Sequence, residues 1–492
     1  MNPLKKLAGQ TAIYGLSSII GRLLNYLLVP LYTRYFTTSE YGEVTTLYAY
    51  VAFLVIILTY GMETAFFRFS QKEQDKKSVY STTLISLLIS STIFIVLMFV
   101  NADSVAIALN FNGHPEYIQW FALIIGLDAV SSISFAKLRE QGKAARFALI
   151  RLLNIFINIG LNLFFIIYCP FAIKNNLPSA EFVQSIYSDV IGIGYIFIAN
   201  LVSSVVTILL LLPEMLSSSW RFKPQLWKKM MVFALPLMVA GLAGITNETI
   251  DRILLSHLLP SSIATSEVGI YGAYYKLSII MMLFIQTFRF AAEPFFFAQE
   301  KELNAKKVYA DVMKYFTIIT SSIFLGVMIY YDLVQQFIGE EFHDSRGLVV
   351  VPVLLFANLF LGIYYNLAVW FKLTEKTRFG AYLALFGAVI TLALNFALIP
   401  ILGFEGSAWT TLLCYLSMTV ASYFLGKKYY PIPYDLKRIG LYLGTSLLLF
   451  SLSVYVDLGM SANTLYLLIF ISVAYILERP KKRLNSTPEL FD

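Results

Sequence analysis

Long apolar runs broken by short polar segments follow one another from end to end of this chain. A helix rises about 1.5 Å per residue, so crossing a hydrocarbon core of about 30 Å takes about 20 mostly apolar residues. On that measure the pattern predicts fourteen membrane helices. The first seven fall at 9–31, 44–67, 79–100, 117–137, 147–170, 189–212 and 231–259. The second seven fall at 268–297, 309–331, 349–371, 379–400, 405–426, 438–457 and 461–478. The runs are continuous rather than alternating, which argues against the short, period-two strands of a membrane barrel. The expected fold class is an all-α polytopic membrane protein.

The polar breaks carry a second pattern. Of the 37 Lys and Arg residues, 27 fall in alternate breaks and at the two ends, beginning with Lys5 and Lys6 and ending with the cluster from Arg479 to Arg483. The intervening breaks hold only Arg34, Lys174 and Arg346. Cytoplasmic loops are enriched in Lys and Arg, so both termini are expected on the cytoplasmic side. Composition agrees: 58% of the 492 residues are apolar or aromatic and 14% are charged, with a mean hydropathy of +0.70. A typical soluble protein carries about 25% charged residues, so a cytosolic enzyme or a disordered chain is excluded. The net charge of +7 reflects topology rather than an affinity for nucleic acid.

Little else in the chain points to catalysis. Cys169 and Cys414 are far apart in apolar stretches, and His114, His257 and His343 are dispersed, so neither a disulfide framework nor a metal site is indicated. There is no Walker-type phosphate loop, no cofactor is expected, and the loops are too short for an extramembrane catalytic domain. The stretch from Leu7 to Pro30 reads as a membrane helix rather than a cleaved leader, being too long and containing Arg22.

The chain also repeats itself. RLLNYLLVP at 22–30 matches RILLSHLLP at 252–260, and TSEYG at 38–42 matches TSEVG at 265–269. The segment from Glu63 to Lys77 aligns with that from Glu293 to Lys307, and KLRE at 137–140 with KLTE at 372–375. Matches in Arg, Pro, Glu and Lys at membrane helices are hard to obtain by chance. Six spans separate the matching first and seventh helices, so the halves run in the same direction, related by an axis along the membrane normal. The expected organisation is an N-terminal bundle at 1–217, a C-terminal bundle at 218–430, and two further helices with a cytoplasmic tail at 431–492. Internal repeats of this kind place a transporter's substrate site between the halves.

The first-helix pattern ending in Pro30, with Arg34 and the Ser39–Gly42 turn after it, resembles the polysaccharide-flippase branch of the multidrug/oligosaccharidyl-lipid/polysaccharide exporter superfamily. So do the VGIYGAYYKL stretch from Val268 to Leu277 and the segment from Leu394 to Thr411. The resemblance spans essentially the whole chain. It implies a non-enzymatic flippase of a bacterial inner membrane that moves a polyprenyl-linked oligosaccharide, a precursor of O-antigen (lipopolysaccharide), capsule or exopolysaccharide, to the outer leaflet. Partners would be that lipid, the membrane, and a glycan polymerase or glycosyltransferases. A lipid II flippase and a drug/cation antiporter of the same superfamily remain alternatives, as does, in another class, a membrane glycosyltransferase or polymerase.

Seven basic residues fall within or at the predicted spans: Arg22, Arg68, Arg151, Arg252, Lys276, Arg289 and Lys314. A charge at the bilayer centre costs at least about 2.5–3.5 kcal/mol, so each needs a partner, a wet cavity or an escape to the interface. Lys314, Arg68 and Arg151 lie near the cytoplasmic face, within snorkelling range. Arg22 and Arg252 occupy equivalent places, each eight residues before a proline. They are expected to face one another across a central cleft and bind the lipid phosphate through their guanidinium forks, with Lys276 and Arg289 as secondary ligands. The competing reading pairs Arg252 with Glu248 along the helix. Among the acids, Glu63 and Glu293 correspond across the repeat and are expected to close helix contacts or an inner gate, Glu293 with Arg289 one turn away. Asp128, mid-span and lacking a basic neighbour on its own helix, and the Glu248/Asp251 pair are candidates for coupling transport to protons or sodium.

Overall fold

A computed structural model describes residues 19–109, 111, 113–300, 302–456 and 459–479. The described residues form helices and connecting turns, with no strand among them. In lipid every backbone N–H and C=O needs an internal partner, which a helix supplies along its own length.

The first described helix, α1, runs over 19–26, breaks at Leu27 and Leu28, and resumes as Val29–Tyr35 with Pro30 in its first turn. It is followed by α2 (Thr38–Lys72), α3 (Lys76–Val100), α4 (Pro115–Glu140), α5 (Ala144–Lys174) and α6 (Gly194–Leu216). Then come α7 (Pro224–Leu258) and α8, which has two parts, α8a (Ser261–Leu277) and α8b (Ile279–Gln299). The chain continues through α9 (Ala305–Ile329), α10 (Gly347–Leu373), α11 (Arg378–Leu402), α12 (Phe404–Tyr429), α13 (Leu436–Tyr455) and α14 (Met460–Glu478). Twelve helices among the described residues are long and apolar enough to cross a membrane; the apolar run in α14, Ala462–Glu478, is shorter. The first predicted span lies partly outside the described residues.

Polar residues set the helix starts and breaks. Thr37 caps α2 in a reciprocal box: its hydroxyl accepts from the Glu40 N–H while the Glu40 carboxylate accepts from the Thr37 N–H at 2.8 Å. Asp75 caps α3 and Asp435 caps α13, each accepting a backbone N–H at 3.1 Å. Within α2, Tyr60 and Gly61 take positive φ (34° and 73°), turning the helix before Met62. Gly61 is required there, since a Cβ would sit 2.7 Å from the Ala234 carbonyl oxygen of α7.

The eighth predicted span departs most from expectation. The single run at 268–297 is two helices that begin at Ser261 and break at Ser278. The Ser278 hydroxyl donates to the Tyr275 carbonyl at 2.7 Å, competing with the helical ladder as serine hydroxyls do.

Among the first six helices, Val44, Phe121, Ile125 and Phe197 share one buried core that joins α2, α4 and α6. Among the later ones, Leu277, Phe316, Phe324, Leu355 and Phe404 belong to a core that also takes in α13 and α14. Small residues let α10, α11 and α12 pack closely: Gly406 of α12 is 2.7 Å, at its would-be Cβ, from the Leu398 carbonyl of α11.

An ion cluster fastens the last two helices. Glu478 of α14 accepts from Lys314 of α9 (2.6 Å) and from Arg438 (2.7 Å) and Tyr442 (2.7 Å) of α13. Lys314 is buried, and neutralising Glu478 leaves it only the longer contact to the half-exposed Asp311 at 3.3 Å among the described residues. Glu478→Gln is expected to cost about 3 kcal/mol, the low end for breaking a buried pair because Arg438 is half in water. A thermal melt of the detergent-purified variant checks this: the transition should fall by several degrees.

Candidate functional site

Between α1, α2, α5 and α6 on one side and α7 and α8 on the other lies a cavity of about 540 Å³. The α7 and α8 wall carries the charge. Arg252 and Glu248 come from α7, one turn apart, and Lys276 from the last turn of α8a.

Arg252 is buried and anchored on its own helix. Its Nη1 donates to Asp251 Oδ1 (3.0 Å) and to the Glu248 carbonyl (2.6 Å), and its guanidinium lies over the Tyr275 ring at 4.0 Å. Asp251 is buried and accepts a 2.6 Å hydrogen bond from Tyr271, so this acid is occupied. The pairing along the helix is therefore with Asp251 and not with the Glu248 carboxylate. Glu248 and Lys276 project into the cavity with no hydrogen bond or ion pair to a side chain among the described residues.

The opposite wall is amide-rich. Asn154 and Asn158 of α5, Asn200 of α6 and Asn25 of α1 line it, together with Tyr32 and Tyr48. Sequence reasoning missed this wall, although its signal is legible: Asn154, Asn158 and Asn162 recur every four residues in an apolar run, which puts all three on one helix face.

Arg22 is not in the lining. It donates to Gln286 of α8b, so the expected facing pair of arginines is not what this structure holds. The break at Leu27–Leu28 is the physical reason, because position relative to Pro30 no longer fixes height or face as it does along continuous α7. Arg289 also lies outside the lining, bonded to Glu293 (2.8 Å) and over the Tyr365 ring at 4.5 Å. Glu293 in turn takes Lys372 of α10 at 2.6 Å, and the equivalent Glu63 takes Arg139 of α4. These two acids join equivalent helix pairs at the lysine-rich end of the bundle. Asp128 lies away from the cavity, accepts from Ser204 of α6 at 2.9 Å, and feels the charge of Arg151 on α5. It is thus less isolated than its own helix indicates.

At the end away from the lysines the cavity has a tight roof. There α2 and α8a cross backbone to backbone at the repeated motif. A Cβ on Gly42 would fall 1.8 Å from the Thr265 carbonyl oxygen, and one on Gly269 would fall 1.8 Å from that of Thr38. The Thr38 and Ser266 hydroxyls share a hydrogen bond of 2.8 Å across the crossing. Beside it, the Gly339 N–H donates to Thr33 Oγ1 at 3.0 Å and the Thr38 N–H to Glu341 at 3.2 Å. Arg346 clamps Glu267 with two 2.8 Å bonds and also holds Asp344, whose carboxyl it keeps below the usual range.

The geometry finds a match among known proteins. The family model described as "Polysaccharide biosynthesis protein" matches residues 7–300. No curated protein matches the chain. Among solved structures, the lipid II flippase MurJ in an inward closed conformation is similar with a TM-score of 0.72 and 14% identity, covering 94% of this chain and 98% of that one. A multidrug resistance MATE family transporter of the MOP superfamily is similar in its inward-facing conformation with a TM-score of 0.64 and 15% identity, covering 85% and 94%. An outward-facing structure under the same description gives a TM-score of 0.59, also at 15% identity and over 85% and 94%. At such identities the likeness is one of fold. With the family model covering more than half of its length, the chain belongs to the polysaccharide biosynthesis protein family.

Proposed function

We propose that this protein moves a polyprenyl-linked oligosaccharide, a precursor of O-antigen, capsule or exopolysaccharide, from the cytoplasmic to the outer leaflet of a bacterial inner membrane. The observation that carries this reading is the cavity between the repeated helix groups, in which the Lys276 ammonium, beside Arg252, forms no ion pair among the described residues. A phosphate or diphosphate linking lipid to sugar supplies the missing anion through charge-assisted hydrogen bonds. The lysine-rich end, by its charge, belongs to the cytoplasm, which puts the tight roof on the outer side. The substrate would enter with that roof shut and leave once it parts, while the lipid tail stays in the bilayer.

With Arg252 paired to Asp251 and Glu248 sharing the cavity with Lys276, the lining has no surplus of negative charge to draw in a cationic drug. A lipid II flippase shares the phosphate chemistry and differs in the sugar. Glu248, which lines the cavity with no ion pair among the described residues, is the acid best placed to couple the cycle to protons or sodium; Asp251 is held by Tyr271 and Arg252.

Reconstitution of the full-length protein in vesicles with a fluorescent polyprenyl diphosphate oligosaccharide tests the proposal. Transfer between leaflets is expected, accelerated by an imposed proton or sodium gradient in wild type but not in Glu248→Gln. No transfer, together with sugar-chain extension when nucleotide sugars are supplied, would establish the glycosyltransferase or polymerase reading instead.

A further inference from the structure

We infer that the amide wall of Asn154, Asn158 and Asn200 is a sugar-reading subsite that binds hydroxyl and acetamido groups of the ring next to the lipid phosphate. The inference rests on the proposed function for the identity of the cargo. Its basis is the hydrogen-bond state of the three amides.

Each is oriented by a neighbour through one end only. Asn154 Nδ2 donates to Thr207 Oγ1 at 2.9 Å, and Asn200 Nδ2 donates to the Tyr48 hydroxyl at 2.9 Å. Asn158 Oδ1 accepts from Asn162 Nδ2 at 3.2 Å, and Asn162 is itself held by Tyr32 at 3.0 Å. This leaves Oδ1 of Asn154, Oδ1 of Asn200 and Nδ2 of Asn158 without a protein partner among the described residues, all three on side chains that line the cavity. The wall therefore offers two acceptors and one donor, held in place by a supporting layer of Thr207, Tyr48 and Asn162.

That combination suits a sugar. Hydroxyls donate to the two oxygens, and an acetamido group uses an acceptor and a donor together. A hard cation wants anionic oxygens, and no carboxylate stands among these three residues. A phosphate wants donors, and two of the three free atoms are acceptors. Tyr48, which also lines the cavity, adds an aromatic ring of the kind that packs against the C–H side of a sugar. The volume of about 540 Å³ falls within the range of about 300–1,000 Å³ for small-molecule pockets, room for a phosphate and one or two rings rather than a long glycan. The cargo then lies across the cavity, with phosphate on α7 and α8 and sugar on α5 and α6.

The test uses two soluble probes, N-acetylglucosamine 1-phosphate and inorganic phosphate, titrated into the detergent-purified full-length protein and read by intrinsic fluorescence. Wild type is expected to prefer the sugar phosphate by at least about tenfold, the scale of one or two net hydrogen bonds between neutral groups. In the Asn154→Ala/Asn200→Ala double variant the preference should collapse toward one, through weaker sugar-phosphate binding. Asn158→Leu, close in volume, repeats the test should the double variant fail its melt. An unchanged preference, or an equal weakening of both probes, overturns the subsite. Lys276→Gln is the separate control: if phosphate binding survives it while the asparagine variants still lose sugar preference, the phosphate assignment fails and the subsite stands.

Discussion

Leucine at Gly42 or Gly269 should hold the protein open on its outer side and reduce transport to background. The two glycines let α2 and α8a meet at backbone distance, with 1.8 Å between each would-be Cβ and the facing carbonyl oxygen. Those oxygens belong to helix backbones and cannot swing aside as a flexible side chain would. Overpacking typically costs about 1–3 kcal/mol. Backbone-against-backbone contact places this case at the upper end, a shift of roughly a hundredfold between closed and open forms at 1.4 kcal/mol per factor of ten. Cross-linking reads the seal directly. Thr38→Cys with Ser266→Cys replaces two hydroxyls that are 2.8 Å apart, and the native Cys169 and Cys414 are buried. Oxidation of that pair should stop transport until a reductant is added. Adding Gly42→Leu should abolish the cross-link, and an efficient cross-link in its presence would mean that the crossing is not the seal.

Lys276→Gln should be the most damaging single change in the cavity. Its ammonium forms no ion pair or hydrogen bond to a side chain among the described residues, so little folding stability is at stake and its loss falls on substrate. A hydrogen bond to a charged group contributes about 1.5–3 kcal/mol, which translates to a tenfold to hundredfold weaker grip on the phosphate. The expected signature is a raised apparent KM for the lipid-linked substrate with an unchanged melting temperature, and substantial rescue by Lys276→Arg. Arg252→Gln is a poorer probe. It strips the buried Asp251 of its cation, and breaking such a pair costs about 3–5 kcal/mol, so lost transport and lost stability would arrive together. Full transport by Lys276→Gln at low substrate concentration would remove phosphate binding from this residue.

Much of this architecture is legible in the chain because membrane helices are written in long apolar runs, and because the duplicated motifs keep residues that lipid does not favour. TSEYG and TSEVG stand out as a repeat in the amino-acid sequence; their packing explains why a glycine closes each one. What the chain does not show is which helix faces meet. Asp128 looks unaccompanied along α4, yet Ser204 comes to it from α6. Arg22 matches Arg252 in sequence, but the turn at Leu27–Leu28 sends it to Gln286 while unbroken α7 brings Arg252 to the cavity. The asparagines of α5 stand out less in the chain than the buried charges do, because neutral amides cost less to bury.

The crossing at Gly42 and Gly269 is isologous, the arrangement otherwise found at the axis of a two-fold dimer. Thr38 receives Gly269 as Thr265 receives Gly42, so one short surface is its own complement and is spelled twice in a single chain. Two consequences follow from that self-complementarity. A substitution in either copy damages a contact that the other copy must share, so neither motif can drift alone. And the two halves meet here as a pair of like subunits would, with the covalent link between them serving as a tether rather than as the source of their fit.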